Sequence, residues 1–123
     1  MTASPPPLPG HSALAALCGE LLVAIEACAT ARVKVLWSSL ERMLSAHFEL
    51  EERTLLADLL VARPRVARVI LEEHRYLRGR LAQLAQKVPN VPVESLRTFV
   101  DELRANGSHE ERVLYPSHEG DAC

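Results

Sequence analysis

Six polar residues fall on the apolar stripes of the sequence, at positions where a leucine or valine is expected. They are His11, His47, Glu51, His74, Asn106 and Glu110. Buried polar groups cost free energy unless they are paired, and a buried carboxylate needs a counter-charge. The only nearby cation in the pattern, Arg78, lies at the border of its stripe. This set therefore predicts a divalent or trivalent metal ion as the counter-charge.

The spacing of His47 and Glu51 supports this interpretation. They are four residues apart, so on a helix both side chains project from one face with their Cβ atoms about 5–6 Å apart. They can share one metal ion or reach two adjacent ions. Mixed imidazole and carboxylate ligands suit iron, manganese or zinc, and helical bundles build two-metal sites in this way.

The two halves of the chain repeat the pattern. The segment HFELEERTLL, which begins at His47, aligns with NGSHEERVLY, which begins at Asn106, at a constant offset of 59 residues. Each half then forms a helical hairpin, with a histidine on its first helix and an H/N-x-x-x-E motif on its second. Two such hairpins packed antiparallel would place the ligands about a pseudo-twofold axis, with Glu51 and Glu110 bridging two metal ions.

Other polar residues have simpler interpretations. His11 stands at a helix start and is equally consistent with a satisfied boundary histidine. Glu52 and Glu111 lie one step off the stripe and are interpreted as solvated or helix-pairing side chains. His118 follows a proline in a polar tail and is interpreted as a surface residue.

The periodicity of the apolar residues predicts four helices. They are expected over about 11–28, 31–61, 64–87 and from 93 to the region before Pro116. The Asn106-Gly107 pair resembles a helix stop, and Ser108 with Glu111 resembles a capping box. The last helix therefore either continues or breaks before a short helix over 109–115.

Amphipathic helices with short connections predict an all-α fold, an up-down-up-down antiparallel four-helix bundle. The bundle is expected over residues 11–117. It lies between a Pro-rich N-terminal tail over 1–10 and a C-terminal tail over 118–123.

Composition narrows the class of protein. The 123 residues carry a net charge of −2, and 48% are hydrophobic, which predicts one folded domain and argues against a nucleic-acid partner. The longest apolar stretch, Ala13–Cys18, is far below the roughly 20 residues of a membrane span. The sequence shows no signal peptide, and three cysteines without CxxC spacing favour free thiols. We therefore expect a cytoplasmic protein with no membrane partner.

The ordered set resembles the hemerythrin-like family, also called the HHE cation-binding domain. The resemblance rests on His11, on HFELEER from His47, on His74 in EEH, and on EERVLYP from Glu110, and it covers nearly the whole folded chain. It implies a four-helix bundle with a non-haem di-iron centre. Carried over by position, the three histidines would be terminal ligands, and Glu51 and Glu110 would bridge.

The departure is at position 106, where the family's H-x-x-x-E motif has histidine and this sequence has Asn106. Asparagine is a poorer iron ligand than imidazole. His109 is the alternative ligand from that helix if the chain bends near Gly107. The third helix offers only His74, with Arg78 four residues later. This reduced set argues against dedicated oxygen transport, and of the two irons that the resemblance implies, one is expected to be weakly bound or absent.

Three functions follow as hypotheses. The first is a di-iron protein that binds or senses O2, NO or redox state, or that handles iron. The second is a metal-free or degenerate-site helical module that binds a protein partner of unknown identity. The third is a di-iron oxidase or peroxidase, for which the sequence shows no substrate motif.

Overall fold

The computed structural model describes residues 11–114, apart from the side chain of Leu114. This part of the chain contains no strand, and the all-α prediction is confirmed for it. Its five helices are α1 (His11–Glu26), α2 (Thr30–Arg53), α3 (Leu55–Ala62), α4 (Pro64–Ala85) and α5 (Val93–Leu114). The predicted tails, 1–10 and 118–123, lie outside the described residues, as does His118.

The first helix ends two residues earlier than predicted, in a Schellman turn. Cys28 has a positive φ of 56°. Its N–H donates to the carbonyl of Ile25 over 3.1 Å, and the N–H of Ala29 donates to the carbonyl of Ala24 over 2.9 Å. These bonds satisfy carbonyls that a helix end leaves free. The turn leads directly into α2, which packs against α1.

The prediction of one long helix over 31–61 is wrong, because the chain forms two helices that meet at Thr54. The Oγ1 of Thr54 donates to the carbonyl of Leu50 over 2.6 Å, and its N–H donates to the same carbonyl over 3.0 Å. Such bonding of a threonine hydroxyl to the carbonyl four residues earlier bends helices. The break allows α3 to contact α4 and places Glu51 in the last turn of α2.

The fourth helix of the chain begins as the sequence predicts. Pro64 occupies the first turn of α4, where its missing N–H and fixed φ fit without cost. The helix ends at Ala85, and the predicted breaker over 89–92 lies between α4 and α5.

The last helix runs through Gly107 without interruption up to Leu114, so within the described residues no separate helix begins at 109. Asn106 and Glu110, on the inner face of this turn, are buried at 5% and 1% exposure. Packing of this face offsets the roughly 1 kcal/mol that a glycine costs inside a helix relative to alanine.

The four long helices enclose the main core. α1 packs against α2 and α5, α4 packs against the same two helices, and α3 covers part of α2 and α4. The core is aliphatic with few rings, as in Leu21, Leu40, Leu77 and Phe99. No helix in residues 11–114 is both long enough and apolar enough to cross a bilayer.

Candidate metal centre

The polar residues that interrupt the apolar stripes meet at one end of the bundle. Five of them are buried to 7% exposure or less: His47, Glu51, His74, Asn106 and Glu110. The side chain of His11, the first residue of α1, is 15% exposed. Each of the four long helices therefore contributes to one inward-facing cluster.

Two glutamates form its centre, and each faces histidines from other helices. His74 Nε2 lies 2.6 Å from Glu110 Oε2 and 3.3 Å from Glu51 Oε1. His11 Nε2 lies 3.5 Å from Glu51 Oε2 and 3.6 Å from Glu110 Oε1. His47 Nε2 lies 3.0 Å from Glu51 Oε2. Both carboxylates are thus shared between the α1 and α4 histidines.

The potential ligand atoms of this cluster lie close together, but several of them have no hydrogen-bond partner. Four buried atoms of this cluster have no hydrogen-bond partner within the described residues: His47 Nε2, both carboxylate oxygens of Glu51, and Glu110 Oε1. The 3.0 Å approach of His47 to Glu51 is therefore an ion-pair distance with unsuitable hydrogen-bond geometry. Buried polar atoms without partners are costly, and a bound cation would satisfy all four.

Donor chemistry fits a transition metal. His11, His47, Glu51 and Glu110 each offer one ligand atom, and these atoms lie within 4.8 Å of one another. Two imidazoles and two carboxylates form the borderline nitrogen and oxygen set that suits iron, manganese or zinc. The residues present therefore fit a bound metal ion.

Without a metal, protons on the histidines supply the positive charge. Burial by itself lowers the pKa of His11 and His74, but the close carboxylates of the surrounding glutamates raise the pKa of His11 to about 10 and that of His74 to about 9. For Glu51, burial raises the pKa, but the histidines outweigh it and hold the pKa well below its usual range. A metal ion would replace these protons as the counter-charge.

A second layer of carboxylates was missed by the sequence interpretation. Glu52 Oε2 lies 2.8 Å from Nδ1 of His74, and Glu111 Oε2 lies 3.3 Å from Nδ1 of His11. Glu52 and Glu111, interpreted from the sequence as solvated or helix-pairing, have side chains that are 26% and 40% exposed, and each also contacts a histidine of another helix. The signal was present in the sequence: both halves carry the adjacent Glu-Glu pair at the same offset.

The ring of His74 is additionally enclosed by Phe48 and Arg78. Phe48 stacks on His74 with ring centroids 3.9 Å apart and planes 13° apart. The guanidinium of Arg78 lies 5.2 Å from the centroid of the Phe48 ring and donates to both oxygens of Glu52, at 3.0 and 3.3 Å. This arrangement fixes the orientation of His74, whose exposure is 0%.

Position 106 on the last helix, where the family pattern has histidine, makes a contact outside the group of donor atoms. Asn106 Nδ2 donates to Glu73 Oε1 over 2.8 Å, and Nδ1 of His109 lies 2.8 Å from Glu73 Oε2. The structure thus joins Asn106 and His109 through Glu73. It does not bring His109 into the group of donor atoms around Glu51 and Glu110.

Comparison with known proteins identifies the family. The family model described as Hemerythrin HHE cation binding domain matches residues 10–116. The chain therefore belongs to the hemerythrin HHE cation-binding domain family, and the resemblance drawn from the sequence is confirmed. No curated protein and no solved structure matches the chain significantly.

Proposed function

We propose that this chain is a non-haem di-iron protein that binds or senses a small diatomic molecule, O2 or NO. One observation carries the proposal. Two buried glutamates are shared by histidines from opposite helices, with buried ligand atoms that have no hydrogen-bond partner in the described part of the chain. Iron is the metal that the family resemblance implies for such a set.

The ligands divide into two unequal groups. His11 and His47, with Glu51 and Glu110, would hold one ion with four protein ligands. His74 would hold the second ion with the same two carboxylates, so Glu51 and Glu110 would bridge. Asn106, the counterpart of His47, is bonded to Glu73 instead. The second ion would therefore be bound more weakly than the first.

Bound iron would supply reversible one-electron chemistry and an open coordination position for a diatomic ligand. The surrounding residues would orient the ligands and exclude water. Glu52 and Glu111 bind the outer nitrogen of His74 and His11, which fixes the ring orientation and leaves Nε2 directed at the central carboxylates.

The helix contacts support the topology that this site needs. α1 and α4 each contact both α2 and α5, as in the antiparallel up-down-up-down bundle predicted from the sequence, and we include that topology in the proposal. We also include the cytoplasmic location, where iron and free thiols coexist.

Metal analysis tests the proposal directly. Protein expressed in iron-rich medium should contain about one to two iron ions per chain, and aeration should produce the charge-transfer absorption of an oxo-bridged pair. Glu51→Ala should reduce the iron content at least tenfold, because it removes the shared carboxylate. Glu49→Ala, an exposed glutamate on the same helix, is the matched control and should leave iron content unchanged. Wild-type protein without transition metal would refute the proposal.

A further inference from the structure

The two helical hairpins share a set of corresponding positions. The α1 histidine and the α4 histidine are 63 residues apart, and α2 and α5 correspond at an offset of 59. At these offsets four pairs of core positions are buried apolar residues in both halves. The pairs are Leu14 with Leu77, Leu21 with Leu84, Trp37 with Leu96, and Leu40 with Phe99. A residue that differs between the halves can therefore be compared with its counterpart at the corresponding position of the fold.

Four positions on α1 and α5 carry smaller side chains than their counterparts on α4 and α2. Ala15 corresponds to Arg78, Cys18 to Leu81, Asn106 to His47, and Gly107 to Phe48. The most consequential change is at Gly107. A Cβ atom there would lie 3.4 Å from two atoms of the His11 ring, so the glycine stands against His11 as the Phe48 ring stands against His74.

A cavity of about 250 Å³ occupies the space that these small residues leave. All four of them line it, together with His11. Cys18 and Asn106 are buried, whereas Ala15 is exposed. The cavity therefore extends from the surface of the bundle to the buried ligand cluster.

The size of the cavity exceeds what a diatomic molecule needs. An apolar cavity of about 150 Å³ is sufficient to hold benzene inside a protein, and a water molecule occupies about 30 Å³. Leu14, Phe48, Val100 and Leu103 supply apolar walls, and His47 supplies a buried polar group. Apolar walls with a few polar groups are typical of small-molecule sites.

We propose that this cavity binds a compact, mainly apolar organic molecule of about the size of phenol, with its single polar group directed at Asn106. The inference deepens the proposed function, since such a molecule would lie beside the iron ligands. The binding itself depends on the cavity and not on the metal.

Phenol is the probe that tests this inference. Isothermal titration calorimetry on the full chain, with iron bound and after iron removal, should show saturable binding with a millimolar or lower Kd. Iron-loaded wild-type protein that shows no saturable binding of phenol would overturn the inference and leave the proposed function intact. Absence of iron would instead refute the proposed function, while the titration of the metal-free protein would still test the cavity.

Two substitutions locate the binding site. Gly107→Phe places in this half the ring that Phe48 supplies in the other, and in the iron-free protein it should weaken phenol binding at least tenfold. Gly79→Phe is the matched control, because Gly79 lies in a helix with no atom within 4 Å of an added Cβ, and it should bind phenol as wild type does.

If circular dichroism shows that Gly107→Phe does not fold, Ala15→Leu tests the same cavity from α1. It should weaken phenol binding severalfold. Wild-type affinity in a folded variant at position 107, or at position 15 in its place, would contradict the assignment to this cavity.

Discussion

The environments of His74 and His11 share the two central glutamates and differ in the other side chains around each ring. Both rings direct Nε2 at the two central glutamates, and both have an outer glutamate at Nδ1. His74 is stacked on Phe48 and fully buried, whereas His11 faces Gly107 and a cavity. The comparison teaches that different residues determine ligand geometry and access to the ligands. The contacts with the glutamates recur in both halves, whereas the neighbouring side chains determine which histidine faces a cavity.

The strongest test of this difference is to replace each histidine by alanine in the metal-free protein and to compare the losses of stability. His74→Ala should lower the free energy of unfolding by about 4 kcal/mol, because it leaves Glu110 buried without its closest partner and removes a stacked ring. His11→Ala should cost about 1–2 kcal/mol, because its contacts with the central glutamates are longer and its side chain is 15% exposed. Urea unfolding measures both, and equal losses would show that the two environments do not differ energetically.

Corresponding positions on α2 and α5 should respond with opposite sign. Phe48→Ala should cost about 3–4 kcal/mol through the cavity it creates. Gly107→Ala should be neutral or stabilising by up to about 1 kcal/mol, because alanine is the better helix former and its Cβ makes ordinary contact with His11. Thermal unfolding of the two variants measures the contrast. A strongly destabilising Gly107→Ala would mean that the His11 ring has no room to accommodate a methyl group.

The inequality between the two proposed ions can be sharpened at position 106. Asn106→His should raise the affinity for the weaker iron about tenfold, because it supplies the missing imidazole. Competition with a chelator measures the affinity. His109→Gln is the control, since it changes the same Glu73 contact without adding a ligand near the glutamates, and it should give no gain. Unchanged affinity in Asn106→His would count against the missing-ligand account.

Arg78 stabilises only the His74 environment, and its removal should have a modest effect. Arg78→Gln should cost about 1 kcal/mol, since the guanidinium binds Glu52 and the face of Phe48 but its side chain is 41% exposed. Arg97→Gln is the control: Arg97 pairs with Glu26 and Glu94 at the surface and should cost about 0.5 kcal/mol or less. Equal losses of unfolding free energy for the two variants, measured by urea unfolding, would show that Arg78 does not specifically stabilise the His74 environment.

The smallest effect concerns Cys18, the cavity-side counterpart of Leu81. Burial raises the pKa of its thiol from 9.0 to about 11, so between these values the folded state retains a proton that the unfolded state loses. Stability contributed by this group therefore falls as pH rises, by about 0.8 kcal/mol between pH 8 and 9.5. Cys18→Ala should lack this part of the pH dependence of unfolding. Identical slopes in the two proteins would contradict the buried-thiol assignment.

The sequence was sufficient to predict much of the centre because helical periodicity alone places residues on a face. His47 and Glu51 share a face at a spacing of four, and the repeat in the second half identifies Glu110 as the partner of Glu51. The structure places all three together. The all-α fold follows from the same periodicity.

What the sequence did not predict depends on contacts between helices. The bonds of Glu73 to Asn106 and His109 join α4 to α5, and no spacing within one helix reveals them. The break at Thr54 depends on one hydroxyl bonding to one carbonyl, against a periodicity that continues past it. The cavity arises from four small residues on two helices, each unremarkable in its own segment.

The positions of the paired glutamates along their helices have a dynamic consequence. Glu51 and Glu52 fall within the last five residues of α2, and Glu110 and Glu111 fall within the last five residues of α5. Helix C-termini carry partial negative charge, so carboxylates there weaken the final turn. A cation bound between these carboxylates would offset that weakening of the final turns. Uptake of metal should therefore slow amide hydrogen exchange in these two turns, including the N–H of Thr54, more than anywhere else in the bundle.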